Sequence, residues 1–179
     1  MQTRYSGPAL GGLDGTYRLY VWRNTRAAPF NNAADPAHET HTGWGISADQ
    51  QIAAHAGAFV RYGHALRGQA AFDRALTVGL QLNGPLWGRE NDVLGLAHGW
   101  LRTSRAFRDN APALDADADG NPDFGYLAGG AERQTELYYN WRLNDHFLVS
   151  PDVQWVQRPG GDAATRDMLI WGIRLKAAF

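Results

Sequence analysis

Residues 169–179 read LIWGIRLKAAF. Taken alternately, Leu169, Trp171, Ile173, Leu175, Ala177 and Phe179 share one side of an extended chain, while Gly172, Arg174 and Lys176 share the other. A period of two belongs to a β-strand, whose successive side chains leave opposite faces of the pleat. The apolar side of this strand is continuous and aromatic enough to suit lipid.

The same alternation recurs through the chain. In RQTELYYNWRL, residues 133–143, Leu137, Tyr139, Trp141 and Leu143 oppose Gln134, Glu136, Tyr138, Asn140 and Arg142. In LTVGLQL, residues 76–82, four apolar residues oppose Thr77, Gly79 and Gln81; in TYRLYVWRN, residues 16–24, Tyr17, Leu19 and Val21 oppose Arg18, Tyr20 and Trp22. Weaker strand patterns cover 43–49, 57–63, 93–102 and 147–157. The reading predicts an all-β, antiparallel up-and-down chain of about eight strands, with 1–13 as an N-terminal lead-in and 14–179 as barrel strands. Alternate connections are longer: 25–41, 64–71, 103–130 and 158–165 against 50–55, 84–92 and 144–146. Transmembrane barrels show this asymmetry, with short turns on the periplasmic side and loops outside.

Composition bounds the alternatives. With 179 residues and a net charge of −1, one domain is expected and nothing points to nucleic acid. The absence of cysteine excludes disulfides and thiol chemistry. The opening MQTRYSGPALGG shows no signal peptide, and no run of 18 apolar residues offers a membrane helix. These features alone suggest a soluble protein, and a soluble β-sandwich also alternates. Two details favour a membrane barrel: aromatics near the strand ends of the apolar faces, and charges on the opposite faces, at Arg18, Arg61, Glu136, Arg142, Asp152 and Arg174. A small soluble barrel has no place for those charges inside, whereas a water-filled lumen does.

The segments FDRALTVGLQLNGPLWGRENDVLGLAHG, GWGISADQQ, FLVSPDVQWVQRPGGD and IWGIRLKAAF resemble the carboxy-terminal half of the carbohydrate-selective porins of the OprB type. The resemblance runs from about Gly12 to Phe179, and LQLNGPLWGRENDVLGLA is its most specific part. It implies an outer-membrane barrel of about sixteen strands that passes mono- and short oligosaccharides by facilitated diffusion. The partners so implied are carbohydrate solutes, the lipid of a Gram-negative outer membrane and a homo-oligomer, in the form of a trimer. About half the strands are present here, and an open half-barrel would leave unpaired strand edges in hydrocarbon, at several kcal/mol for each unsatisfied group. A fragment of a longer porin is therefore expected. The alternative is a small closed eight-stranded anchor or adhesin without channel activity, whose interior its own side chains would fill. A third reading, a soluble carbohydrate-binding domain, would use Trp22 and Trp44 as ligand platforms.

Sugar passage needs no catalyst and no cofactor; it needs a wet lumen, flat aromatic faces and exchangeable hydrogen-bonding groups. On the inward parity Tyr20, Trp22 and Tyr138 are the expected stacking surfaces, and Arg18, Arg61, Glu136, Arg142, Asp152, Gln154 and Arg174 the expected hydrogen-bonding groups. The competing reading is that these charges pair across strands and shape the wall. DADADGNPDFG, residues 115–125, places Asp115, Asp117, Asp119 and Asp123 at calcium-loop spacing, but Tyr126 stands where a bidentate glutamate would complete an EF-hand. These aspartates are candidate calcium ligands in an external loop expected to lack flanking amphipathic helices; otherwise the loop is simply solvated and acidic. GGLDG and GPLWG match neither a dinucleotide nor a phosphate loop, and Ser47 and Ser150 lack a nucleophile elbow. No enzyme signature is present.

Overall fold

The computed structural model describes residues 1–30, 38–115, 117–123 and 128–178. Among the described residues nine strands follow one another: β1 (Gln2–Pro8), β2 (Asp14–Ala27), β3 (Glu39–Ala53), β4 (Ala56–Arg67), β5 (Phe72–Asn83), β6 (Val93–Thr103), β7 (Ala131–Arg142), β8 (Phe147–Gln157) and β9 (Met168–Ala177). Each pairs antiparallel with its neighbour in the chain, so the sheet order is the sequence order. The sheet is not closed: among the described residues β1 and β9 are its two edges. From β2 onward the strands are 10 to 15 residues long. Soluble strands average roughly 5–6 residues, whereas about 9–11 tilted residues cross a bilayer core.

The structure adds a ninth strand to the eight that alternation reveals. β1 occupies the segment read as a lead-in and pairs with β2 from Gln2↔Tyr20 to Pro8↔Asp14. Its residues QTRYSGP carry no apolar face, so only pairing makes the segment a strand. Phe179, the end of the carboxy-terminal apolar pattern, and Tyr126 lie outside the described residues.

Directly opposed residues in an antiparallel pair share a face, so the register carries each face across the whole sheet. One face bears Tyr17, Leu19, Ile46, Val78, Leu80, Leu96, Leu137, Val153, Trp171 and Ile173. No second layer covers it: Leu19 is 53% exposed, Trp171 76% and Ile173 81%. The opposite face is polar. Aromatics gather toward both ends of the apolar face. Trp44, Tyr62 and His64 form a ring cluster toward the loop end, with Trp44 and Tyr62 centroids 5.4 Å apart. Trp87 meets Tyr139 at the turn end.

The buried apolar cluster lies among the loops instead of beneath the sheet. Phe107 and Ala111 of the segment after β6 pack with Ala128, Phe30, Ala71 and Leu114. Phe107 sits in α1 (Arg105–Asn110), whose first turn is capped by Ser104 accepting from the Phe107 amide at 3.0 Å. Its ring meets Phe30 edge-on at 5.3 Å. Backbone bonds from Ser104 to Ala71, from Phe30 to Gln69 and from Gly129 to Gly161 tie four connections together at this end. The acidic loop, expected to lack flanking amphipathic helices, is thus preceded by one helix of six residues. A short helix forms there because Ser104 supplies a cap and Phe107 an apolar anchor.

At the turn end, residues 84–92 fold around one carboxylate. Asp92 is 2% exposed. It accepts from Arg89 Nε at 2.7 Å, from the Tyr139 hydroxyl at 2.5 Å and from the Arg142 amide at 2.9 Å. Trp87 Nε1 donates to the same Tyr139 hydroxyl at 3.1 Å, and the Arg89 guanidinium lies 5.8 Å over the Trp141 ring. Gly84 has no room for a Cβ, which would run into the Arg89 carbonyl. Burial pushes the Asp92 carboxyl up, but the Arg89 guanidinium, the Tyr139 hydroxyl and the Arg142 amide outweigh it and hold the group below the ordinary carboxylate range. A depressed carboxyl stabilises the fold above its unfolded pKa of about 3.9, and the contribution is lost as pH falls through the lower folded value. Asp92→Asn is expected to cost about 1.5–3 kcal/mol in urea unfolding at neutral pH, the usual worth of hydrogen bonds to a charge. The gap between variant and parent should shrink below about pH 4.

Candidate functional site: the polar wall

All ten residues singled out as pore-facing lie on one face of the sheet. Arg18 opposes Ser47, which opposes Arg61; Tyr20 opposes Gly45 and Trp22 opposes Gly43. Across β7 to β9, Glu136 opposes Gln154, Tyr138 opposes Asp152, Arg142 opposes Leu148, and Arg174 opposes Ser150. Thr77, Gly79 and Gln81 of β5 join the two groups to Gly99, Ala97 and Gly95 of β6, and through these to β7. Trp44 falls on the other face, opposite Val21, so it cannot share a ligand platform with Trp22.

The charges do pair, but only locally. Arg18 Nη1 lies 3.3 Å from Asp49 Oδ2, and Arg61 binds the other oxygen of the same carboxylate. Arg61 also donates to the Ala48 carbonyl at 2.8 Å, while its guanidinium lies 5.1 Å over the Phe59 ring. On the far side, Gln134 donates to Gln154 at 2.8 Å and Gln154 to Asp152 at 2.9 Å. Arg142 reaches Asp145 at 3.6 Å beside the turn. The basic group on β2 and β4 and the acidic group on β7 and β8 are therefore separate. Between them runs a stretch floored by glycine, alanine and threonine.

Aromatic side chains on this face meet glycines. Trp22 leans over Gly43, Tyr20 over Gly45, Phe59 over Gly79 and Tyr138 over Gly95, each ring filling the place that a Cβ on the opposed glycine would need. A missing side chain on one strand lets the ring on the next lie along the wall, where it offers a flat face instead of an edge. Toward the turn end the wall opens into a groove of about 640 Å³, lined by Thr16, Asp49, Gln51, Phe59, Gln81 and Asn83. An apolar ring among several amide, hydroxyl and carboxylate groups is a chemistry that suits a sugar, whose C–H face stacks while its hydroxyls exchange hydrogen bonds.

Sequence reasoning missed Asp49 and Phe59. Both have the parity of Arg61 and Ser47, but the strands that carry them alternate weakly, and only the register places Asp49 between two arginines. The acidic loop also takes shape. Asp115, Asp117 and Asp119 bring carboxylate oxygens within 4.8 Å of one another. Asp115 accepts from the amides of Asp119 at 3.0 Å and Gly120 at 2.9 Å, and Asp119 accepts from the Asn121 amide at 2.7 Å. These bonds account for the spacing of the aspartates as a self-bonded turn. Asp123 donates its amide to the Leu114 carbonyl at 2.7 Å.

Comparison with known proteins agrees with this geometry. The family model of the carbohydrate-selective porins, OprB family, matches residues 2–179. Porin B of Pseudomonas aeruginosa is 26% identical over 93% of this chain and 42% of its own length, and the putative porin QuiX of Acinetobacter baylyi is 22% identical over 94% and 41%. The structure of Pseudomonas putida OprB at high pH superposes on the whole chain with a TM-score of 0.84 at 24% identity, over 48% of its own length. The chain thus spans less than half the length of the relatives it matches. An uncovered sheet with one polar and one apolar face, built from strands long enough to cross a bilayer, is the wall of a β-barrel, and the chain belongs to the OprB family of carbohydrate-selective porins.

Proposed function

We propose that this chain forms about half the wall of an outer-membrane pore that passes mono- and short oligosaccharides by facilitated diffusion. The observation that carries the reading is the two-faced sheet: one face is apolar and uncovered, and the other is polar and lined by Arg18, Arg61, Glu136, Asp152 and Arg174. A soluble protein would have to cover the first face, whereas lipid satisfies it; water and solute satisfy the second. The open edges at β1 and β9 pair with further strands of the same barrel. A closed eight-stranded anchor fits less well, because among the described residues nine strands stand in linear order with no pairing between the ends.

Two measurements test the reading. The intact mass of the native product, detected in outer-membrane fractions through its carboxy-terminal peptide, is expected to be roughly twice that of this chain; a mass matching the chain itself would return the anchor to first place. In planar bilayers the native protein is expected to conduct ions and to be blocked by added sugar. Tyr138→Ala and Phe59→Ala should weaken that block several-fold, while Arg18→Ala or Arg174→Ala should shift the reversal potential. Reversal potentials unchanged in both arginine variants would overturn the inward assignment.

A further inference from the structure

The apolar face of the sheet is not uncharged throughout. Arg23 shares it with Val21, and through Thr42 so does Arg67; Arg74, Arg102 and Arg133 share it with Leu76, Trp100 and Leu137. All five are exposed. Each lies in the half of its strand nearest the long connections. At the other end the same face carries Tyr17, Ala58, Leu82, Trp141 and Leu175, and no described strand residue facing this way there is charged.

The centre of the belt is a conflict. Arg74 and Arg102 stand directly opposite each other on β5 and β6, and Arg133 is the diagonal neighbour on β7, two positions beyond the partner of Arg102. Like charges in direct cross-strand opposition repel and are disfavoured unless an anion lies between them. Among the described residues none of these three forms an ion pair, whereas the inward Arg18, Arg61 and Arg142 all do. Arg67 lies near the Glu39 carboxylate. Aromatic rings stand among these arginines: Trp100 is opposite Arg133 on one side and Leu76 on the other, and His64, in the ring cluster with Trp44 and Tyr62, is opposite Arg74.

Arginines interleaved with aromatic rings at one end of an apolar face mark the level of lipid headgroups, since charges on a barrel's outer face cost least near the interface. We infer that this belt, centred on Arg74, Arg102 and Arg133, binds the phosphate-bearing headgroups of the lipid leaflet on the loop side. The inference rests on the membrane reading proposed above. The planar, fixed-charge guanidinium forks donate to phosphate oxygens in pairs, and a headgroup phosphate shared by Arg74 and Arg102 turns their repulsion into a bridge. The charge complementarity also orients the wall, because only one end of the apolar face carries it.

The test uses the native full-length protein in lipid vesicles, with tryptophan quenching by dibrominated phosphatidic acid compared with dibrominated phosphatidylcholine. The parent is expected to prefer the phosphate monoester lipid by roughly tenfold or more, the order given by a few arginines at a membrane surface. The triple variant Arg74→Gln, Arg102→Gln, Arg133→Gln should lose most of that preference. The corresponding triple lysine variant should keep part of it, and the inward Arg174→Gln should keep all of it. Equal preference in parent and triple glutamine variant would overturn the inference, as would full competition by inorganic phosphate, which would assign the arginines to the free anion. Sugar uptake by the same vesicles separates the two readings: uptake with no arginine-dependent lipid preference removes this inference alone, and failure of the parent to insert and pass sugar removes both.

Discussion

In hydrocarbon a backbone amide or carbonyl has no water to fall back on, so every one must be paired within the protein, and on the proposed membrane reading this constraint governs the rest of the structure. It explains why the strands are long, why each pairs with its neighbour in the chain, and why the apolar side chains face away from any core. The sheet meets the constraint internally from β2 through β8. Its two edges do not meet it alone, and the proposed remedy is further strands of the same barrel. A sheet with an apolar face more than half exposed at Leu19, Trp171 and Ile173 would aggregate in water. In a membrane those residues are where they belong.

With packing removed from both faces, stability is concentrated at the ends. At the turn end a single buried carboxylate, Asp92, collects a guanidinium from its own turn and a phenol and an amide from β7, and so locks β6 against β7. At the loop end an apolar cluster around Phe107 does the corresponding work, joining four connections through side-chain packing and backbone bonds. Between these ends the wall is held by the ladder and by cross-strand pairs, among which the rings laid over glycines recur. The same pairing that fills a gap in the wall also lays an aromatic ring along the polar face, so a stabilising device coincides with the surface proposed to meet sugar.

The polar wall shows how far local sequence can specify a site. The basic cluster of Arg18 and Arg61 is neutralised in part by one shared carboxylate, Asp49, while the acidic Asp152 lies in an amide network with Gln154 and Gln134. Of the two readings of the charges, Arg18 and Arg61 meet the wall-shaping one through Asp49. The groove itself is lined by the groups they touch, Asp49 and Phe59.

Alternation by itself determined the strand class, the two faces and the common face of the ten residues read as pore-facing, because a period of two assigns a side to every residue without knowledge of its neighbours. The resemblance carried in LQLNGPLWGRENDVLGLA pointed to the family, and the structure shows why that stretch is specific: it builds the Asp92 turn. The partners were beyond the reach of the sequence. β1 has no apolar face and is a strand only because β2 pairs with it; Asp49 meets Arg18 and Arg61, and Arg74 faces Arg102, only through register. The helix at Phe107 formed because loops far apart in the chain meet around it. Periodicity is local and is written in the sequence, whereas opposition across strands depends on turn length and bulges, and only the assembled sheet decides it.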